Sequence, residues 1–325
     1  MVEPKFGVIT PQGWRLDLVS IKDPIDKYAQ MTRFAQEAER LDYDSVWVYD
    51  HFHTVPTPEL ETTFECWTST AGLARDTKTI RIGQMVTCNN YRNPALLAKM
   101  ASTVDVMSHG RLDFGIGAGW YEEEFRAYGY DFPDGPERLR MLGEALQIIH
   151  AMWKDDYATF EGKYYQVRGA INEPKGVQKP HIPLWVGGSG ERVTLKLVAK
   201  YADACNVSGF TPDEYKHKLD VLKEHCDNLG RDYDSIIKSS HNFITLLAPG
   251  EDPEKATAPF RRGASLEDYR KRVVVGTPQE MVDYFASLQE IGLEYFVIYF
   301  RNDLTRLDTL QMFAEDVMGR VSRRS

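Results

Sequence analysis

The chain has few of the features that would staple it, anchor it or fix it to a polyanion. It contains four cysteines, Cys66, Cys88, Cys205 and Cys226, each standing alone. With no Cys-x-x-Cys pair and no dense framework, a disulfide scaffold is excluded, and buried thiols of a reducing compartment are expected. No apolar run approaches the roughly 18 residues that span a bilayer. The opening Met1-Val2-Glu3-Pro4-Lys5 lacks the basic-then-apolar pattern of a leader, so the expected location is the cytoplasm, with no membrane partner. Positive charge is also in deficit: 39 Lys and Arg face 48 Asp and Glu, a formal charge of −9. Without a basic run to meet phosphates, no nucleic-acid partner is expected. Internal repeats and low-complexity tracts are absent too. What is present, 42% hydrophobic and 27% charged residues over 325 positions, is the balance of a globular protein with a large core.

Short β-branched runs alternate with stretches of helical period. The runs are Phe6–Thr10, Ser45–Tyr49, Ile80–Val86, Arg111–Ile116, Ile182–Val186, Ala202–Val207, Ile236–Leu246 and Glu294–Phe300. They lack polar alternation, so both faces should be buried, as in a parallel sheet flanked by helices. Asp23-Pro24 and Asn93-Pro94 each set a capping side chain before a proline suited to the first helical position. Eight strands separated by helices predict a (β/α)8 TIM barrel formed by residues 1–325 as a single domain, with an open doubly wound sheet as the alternative. Residues 155–182 and 247–276 break the rhythm. They read as insertions serving the C-terminal face, where barrels build their sites.

On that reading the chemistry sits at the strand ends. The second strand ends in Asp50-His51, where a carboxylate neighbour could fit the imidazole for acid–base work, although loop histidines are also commonly structural. Gly187-Gly188-Ser189-Gly190 lies between a strand and a helix expected to begin near Glu191, a place suited to a phosphate or simply to chain reversal. Gly115-x-Gly117-x-Gly119 is not the dinucleotide fingerprint. It either leaves a strand end bare for a flat ring or allows close packing. Glu122, Glu123 and Glu124 together offer a candidate proton donor, and any of the three can simply complement a helix dipole, worth about 0.3–1 kcal/mol. Trp14, Trp67 and Trp120 fall where a pocket wall is expected, and Trp47 and Trp185 read as core. His51-x-His53, with His241 later, also permits a metal site.

Four ordered segments, Ser45-Val46-Trp47-Val48-Tyr49-Asp50-His51, Asn93 to Lys99, Gly110 to Trp120 and Gly187 to Arg192, resemble the luciferase-like superfamily over residues 5 to 300. Within it they are most similar to the coenzyme F420-dependent oxidoreductases. The resemblance implies a dimeric barrel holding a reduced flavin or deazaflavin at its C-terminal mouth. It places His51 at the reaction centre and Asp50 on the cofactor. It further implies a strand-three bulge at Gln84 and Met85 behind the ring, with Thr87 nearby, and a phosphate at Gly187 and Gly188, extending to Ser189 and Gly190. Gly117, Ala118, Gly119 and Glu123 complete the expected cofactor contacts. Two positions depart from the family's glucose-6-phosphate dehydrogenases: Val55 stands where they carry an active-site Trp, and Trp120 where they carry an acid. The implied activity is hydride transfer between F420 and a small organic substrate by a homodimer. An FMN-dependent monooxygenase is the alternative, and a metal-dependent hydrolase a remoter one. An acidic chain that binds an acidic cofactor needs local positive potential, for which Lys163, Arg168, Lys175, Lys179 and Arg192 are the candidates.

Overall fold

The computed structural model describes residues 3–209 and 211–322. Eight parallel strands form a closed barrel: β1 (Lys5–Ile9), β2 (Ser45–Val48), β3 (Arg81–Gln84), β4 (Leu112–Gly117), β5 (Leu184–Gly187), β6 (Ala204–Val207), β7 (Ile237–Leu246) and β8 (Tyr295–Phe300). Each pairs with its sequence neighbour, and β8 returns to β1, with Lys5 beside Tyr295. Pairing of β6 with β7, Ala204 beside Ile237, removes the last edge, so the open-sheet alternative is wrong. Every expected strand is present, with ends shifted by at most two residues.

The helices follow from their caps and faces. In α1 (Pro24–Arg40) the Asp23 carboxylate accepts the Ile25 N–H at 2.7 Å, and in α3 (Pro94–Met107) the Asn93 side chain accepts the Ala95 N–H at 3.0 Å. Met31, Phe34, Ala35 and Ala38 of α1 are turned onto the sheet at helical spacing and are fully buried. The remaining helices that matter for the site are α2 (Cys66–Asp76), α4 (Glu122–Ala127), α5 (Gly135–Lys154) and α6 (Thr194–Tyr201).

Large rings fill the barrel lumen. Trp47 of β2 meets Trp185 of β5 at 4.9 Å between centroids, and Trp185 meets Tyr295 of β8 at 5.0 Å. These strands are not neighbours, so the rings can touch only across the interior, which confirms both tryptophans as core. The Ser45 hydroxyl links the Trp47 indole N–H (2.5 Å) to the Tyr295 hydroxyl (2.6 Å), whereas the Trp185 indole N–H is buried without a partner.

Outside the lumen, Arg111 closes the N-terminal end. Its guanidinium donates to the carbonyls of Ala74, Thr77, Ile80 and Ser108 and to the Thr77 hydroxyl, at 2.6–3.1 Å. Arg111→Met should strand these acceptors in a buried site and cost about 2–4 kcal/mol. A urea unfolding midpoint unchanged by the substitution would contradict that account.

The two insertions differ in placement. Residues 247–276 follow the C-terminal end of β7, as expected, and carry two short helices, Pro253–Thr257 and Leu266–Arg270, before Val274–Gly276 pairs with Ile244–Leu246. Residues 155–182 instead connect α5 to β5. A helix-to-strand connection begins at the opposite end of the barrel, so the expectation of a mouth insertion is corrected there. The Gln178 amide donates to Asp105 and to the Leu112 carbonyl at the start of β4, both at 2.7 Å. The hairpin Ala158–Glu161/Gln166–Ala170 climbs along α5, its turn held by the Glu144 carboxylate at the N–H groups of residues 163–165. Only the tip reaches mouth level, where the Tyr165 hydroxyl accepts from Asn89 at 3.1 Å.

Candidate active site

The mouth is floored by a bulge. β3 ends at Gln84, the Met85–Val86 peptide is cis, and the chain re-pairs with β4 at Thr87–Cys88. Val86 thereby stands among the ends of β4 and β5. A Cβ on Gly117 would lie 2.7 Å from Val86 Cγ2, and one on Gly187 2.8 Å from Val86 Cγ1. Of the two uses left open for the β4 glycines, close packing therefore holds at Gly115 and Gly117. The bare surface is made by the bulge that these glycines admit.

Above it lies a cavity of about 400 Å³. Of the residues singled out in the sequence, Asp50, His51, Met85, Thr87, Gly117, Ala118, Gly119, Gly187 and Gly188 line it. Glu123, Ser189 and Gly190 do not. Glu123 is exposed and accepts the Tyr121 hydroxyl at 2.9 Å. The Ser189 hydroxyl ties its loop to the next strand end, accepting the Ser208 N–H at 2.7 Å. Helix α6 begins at Thr194, three residues later than expected, so Thr194 and Ser208 bring hydroxyls to this wall in place of Ser189 and Gly190.

The acid placed against His51 is Glu124. It is fully buried, and its carboxylate accepts the His51 Nδ1–H (2.9 Å), the Tyr91 hydroxyl (2.8 Å) and the N–H groups of Phe52 (2.5 Å) and His53 (3.2 Å). Burial alone would raise its pKa. The His51 hydrogen bond and charge, with Phe52 N–H and Tyr91, outweigh that and hold the carboxyl below its ordinary range. A carboxylate on Nδ1 keeps the proton on that nitrogen and leaves Nε2 to the cavity. Trp14 stacks on the imidazole, with centroids 5.0 Å apart and planes within 3°. Helical phase separates Glu124 from its two neighbours: beside it Phe125 is also fully buried, while Glu122 and Glu123 face out. That apolar neighbour was the available signal.

Asp50 is committed to architecture as well as to the wall. Its carboxylate accepts Arg92 at 2.6 and 3.0 Å, the Cys88 N–H at 2.8 Å and the Thr87 hydroxyl at 3.0 Å, tying the end of β2 to the bulge. On the far side the Tyr49 hydroxyl lies 2.7 Å from His241 Nε2. Burial, with the charge of Arg15, pulls His241 down to about 4, so it is neutral near pH 7 and accepts from the phenol. His53 turns its Nδ1 to the Thr54 carbonyl at 3.1 Å. The three histidines thus have separate partners, and among the described residues no cluster of three or more His, Cys, Asp or Glu is placed to hold a metal. Nor do Lys163, Arg168, Lys175, Lys179 or Arg192 line the cavity; the arginine that does is Arg15, which sequence reasoning missed. No helix among the described residues is long and apolar enough to cross a membrane.

Comparison with known proteins agrees with this fold. Residues 4–265 match the profile of the luciferase-like monooxygenase family. An F420-dependent glucose-6-phosphate dehydrogenase from Gordonia bronchialis is 30% identical over 91% of this chain and 94% of its own. One from Microbacterium testaceum is 27% identical over the same shares. Among solved structures, an F420-dependent secondary alcohol dehydrogenase in complex with an F420-acetone adduct superposes with a TM-score of 0.82 at 20% identity, covering 98% of this chain and 99% of that one.

Proposed function

The chain belongs to the luciferase-like monooxygenase family, and from that premise we propose that it is an oxidoreductase that transfers hydride between coenzyme F420 and a small organic substrate. The observation that carries the reading is the His51–Glu124 pair, set with a free Nε2 at the rim of a cavity floored by Val86. The residues present fit a planar ring bearing a phosphate. Val86 and Met85 offer an apolar floor, and Gly187, Gly188, Thr194 and Ser208 form a polar, side-chain-poor wall. Those are the residues to hold the ring and the phosphate. When bound, the cofactor supplies the hydride chemistry at its C5.

The rest falls to side chains of this chain. His51 Nε2 exchanges the proton with the substrate atom that changes charge, and Glu124 keeps Nδ1 protonated and the ring in place. Trp14, Tyr49, Trp120 and Phe243 keep water from the space between. The substrate is a small molecule, and the enzyme works as a cytoplasmic homodimer in which residues 1–325 act as a single domain. The test is a screen of carbonyl, enone and imine compounds against protein loaded with reduced F420, followed at the deazaflavin absorbance band. Reoxidation by at least one class is expected; a loaded protein that reduces none would reduce the reading to cofactor binding.

A further inference from the structure

We propose that Arg15 selects substrates that carry a carboxylate, an inference that rests on the reading of the mouth as the reaction site. Arg15 follows β1 and lines the cavity, yet its guanidinium makes no hydrogen bond or ion pair among the described residues, and its Nε is shut off from water without a partner. Arg81, Arg92 and Arg111, by contrast, each meet carboxylate or carbonyl acceptors. Burial lowers the pKa of Arg15 against the pull of Tyr299 and Tyr49, and the charges of Arg301 and Arg262 lower it further. An anion arriving there would relieve a cost that the folded chain leaves standing.

The turn that presents Arg15 is built rather than loose. The Gly13 N–H donates to Asp17 Oδ1 at 2.5 Å, the Leu16 N–H to the Gly13 carbonyl at 2.9 Å, and the Tyr299 hydroxyl to Asp17 Oδ2 at 2.8 Å. Leu16 sits at φ +65°, a left-handed conformation that costs a non-glycine residue about 1 kcal/mol or more. Gly13, at φ +101°, passes so near the chain that a Cβ would lie 1.9 Å from the Thr62 carbonyl oxygen. The guanidinium is 4.4 Å from the centroid of Trp14, the ring on which His51 stacks, so the cation and the proton-exchanging imidazole pack on the same indole.

Position separates this cation from the cofactor's phosphate. β1 and β5 stand four strands apart in a closed ring of eight, so Arg15 and the Gly187–Gly188 loop lie on opposite sides of the mouth. A planar fork with no protein acceptor, on the His51 side, matches a carboxylate held by two parallel hydrogen bonds.

The test compares benzoate with uncharged benzamide, followed through tryptophan fluorescence on cofactor-free and F420-loaded protein. Benzoate should bind about ten-fold more tightly than benzamide. Arg15→Gln should abolish that preference and Arg15→Lys restore part of it, with F420 affinity unchanged in both. Equal binding of the two probes, or no benzoate binding, would overturn the proposal. So would an Arg15→Gln protein that loses F420 and keeps benzoate, which would give Arg15 to the cofactor. A protein that binds no F420 would sink the functional reading alone, because the cofactor-free arm still decides the role of Arg15.

Discussion

Replacing His51 with Ala is expected to lower turnover by about 10²- to 10⁴-fold, the range typical for losing a positioned acid–base group, while F420 binding survives. The site can tolerate the change. Glu124 keeps three donors, Phe52 N–H, His53 N–H and the Tyr91 hydroxyl, and the ring and phosphate surfaces are untouched. What else is lost is the face of Trp14, worth about 0.5–1.5 kcal/mol of stability. Single-turnover rates with pre-bound F420 isolate the chemical step from binding. A variant with full turnover would confine His51 to orienting its neighbours.

The second large effect is at Glu124, which touches no cavity surface and acts through His51. Glu124→Gln keeps the shape and inverts half of the hydrogen bonding. If its carbonyl keeps the two backbone N–H groups, its NH2 faces His51 Nδ1 and the Tyr91 hydroxyl, so the imidazole proton must move to Nε2. Turnover in the direction that needs a base should then fall by about 10²- to 10⁴-fold through the wrong tautomer. Nitrogen chemical shifts of His51 would report the switch, and Glu124→Asp should restore part of the rate. A pH consequence accompanies it. Because the folded carboxyl titrates below its ordinary 4.5, its stabilisation is complete above that pH and is lost as pH falls through the folded value. The wild type should therefore lose stability on acidification in a step that Glu124→Gln lacks. Parallel stability curves for the two proteins would contradict an ionised Glu124.

The barrel was legible because buried parallel strands are nearly continuous apolar runs and Pro-preceded caps mark helix starts; Asp23 and Asn93 cap where they were expected to. The bulge, His51, Asp50 and Gly187–Gly188 were legible through ordered motifs. Three things were not. Residues 155–182 read as a connection from the fourth helix to the fifth strand, an order that puts their start at the N-terminal end, but the length of an insertion points to the mouth instead. Glu122, Glu123 and Glu124 are chemically identical, and only the phase of α4, set by buried Phe125, turns the third one inward. Arg15 lies in a connection without periodicity, where an aligned cation looks like any surface arginine until the Gly13–Asp17 turn closes beneath it.

The central claim is that the Val86 floor and the Gly187–Gly188 wall receive a deazaflavin. The most direct measurement is equilibrium titration of the purified protein with F420 and, side by side, with FMN, read by cofactor fluorescence. Saturable micromolar F420 binding with much weaker FMN binding is the predicted result; micromolar FMN binding with none for F420 would contradict it and make the site that of a flavin-dependent monooxygenase.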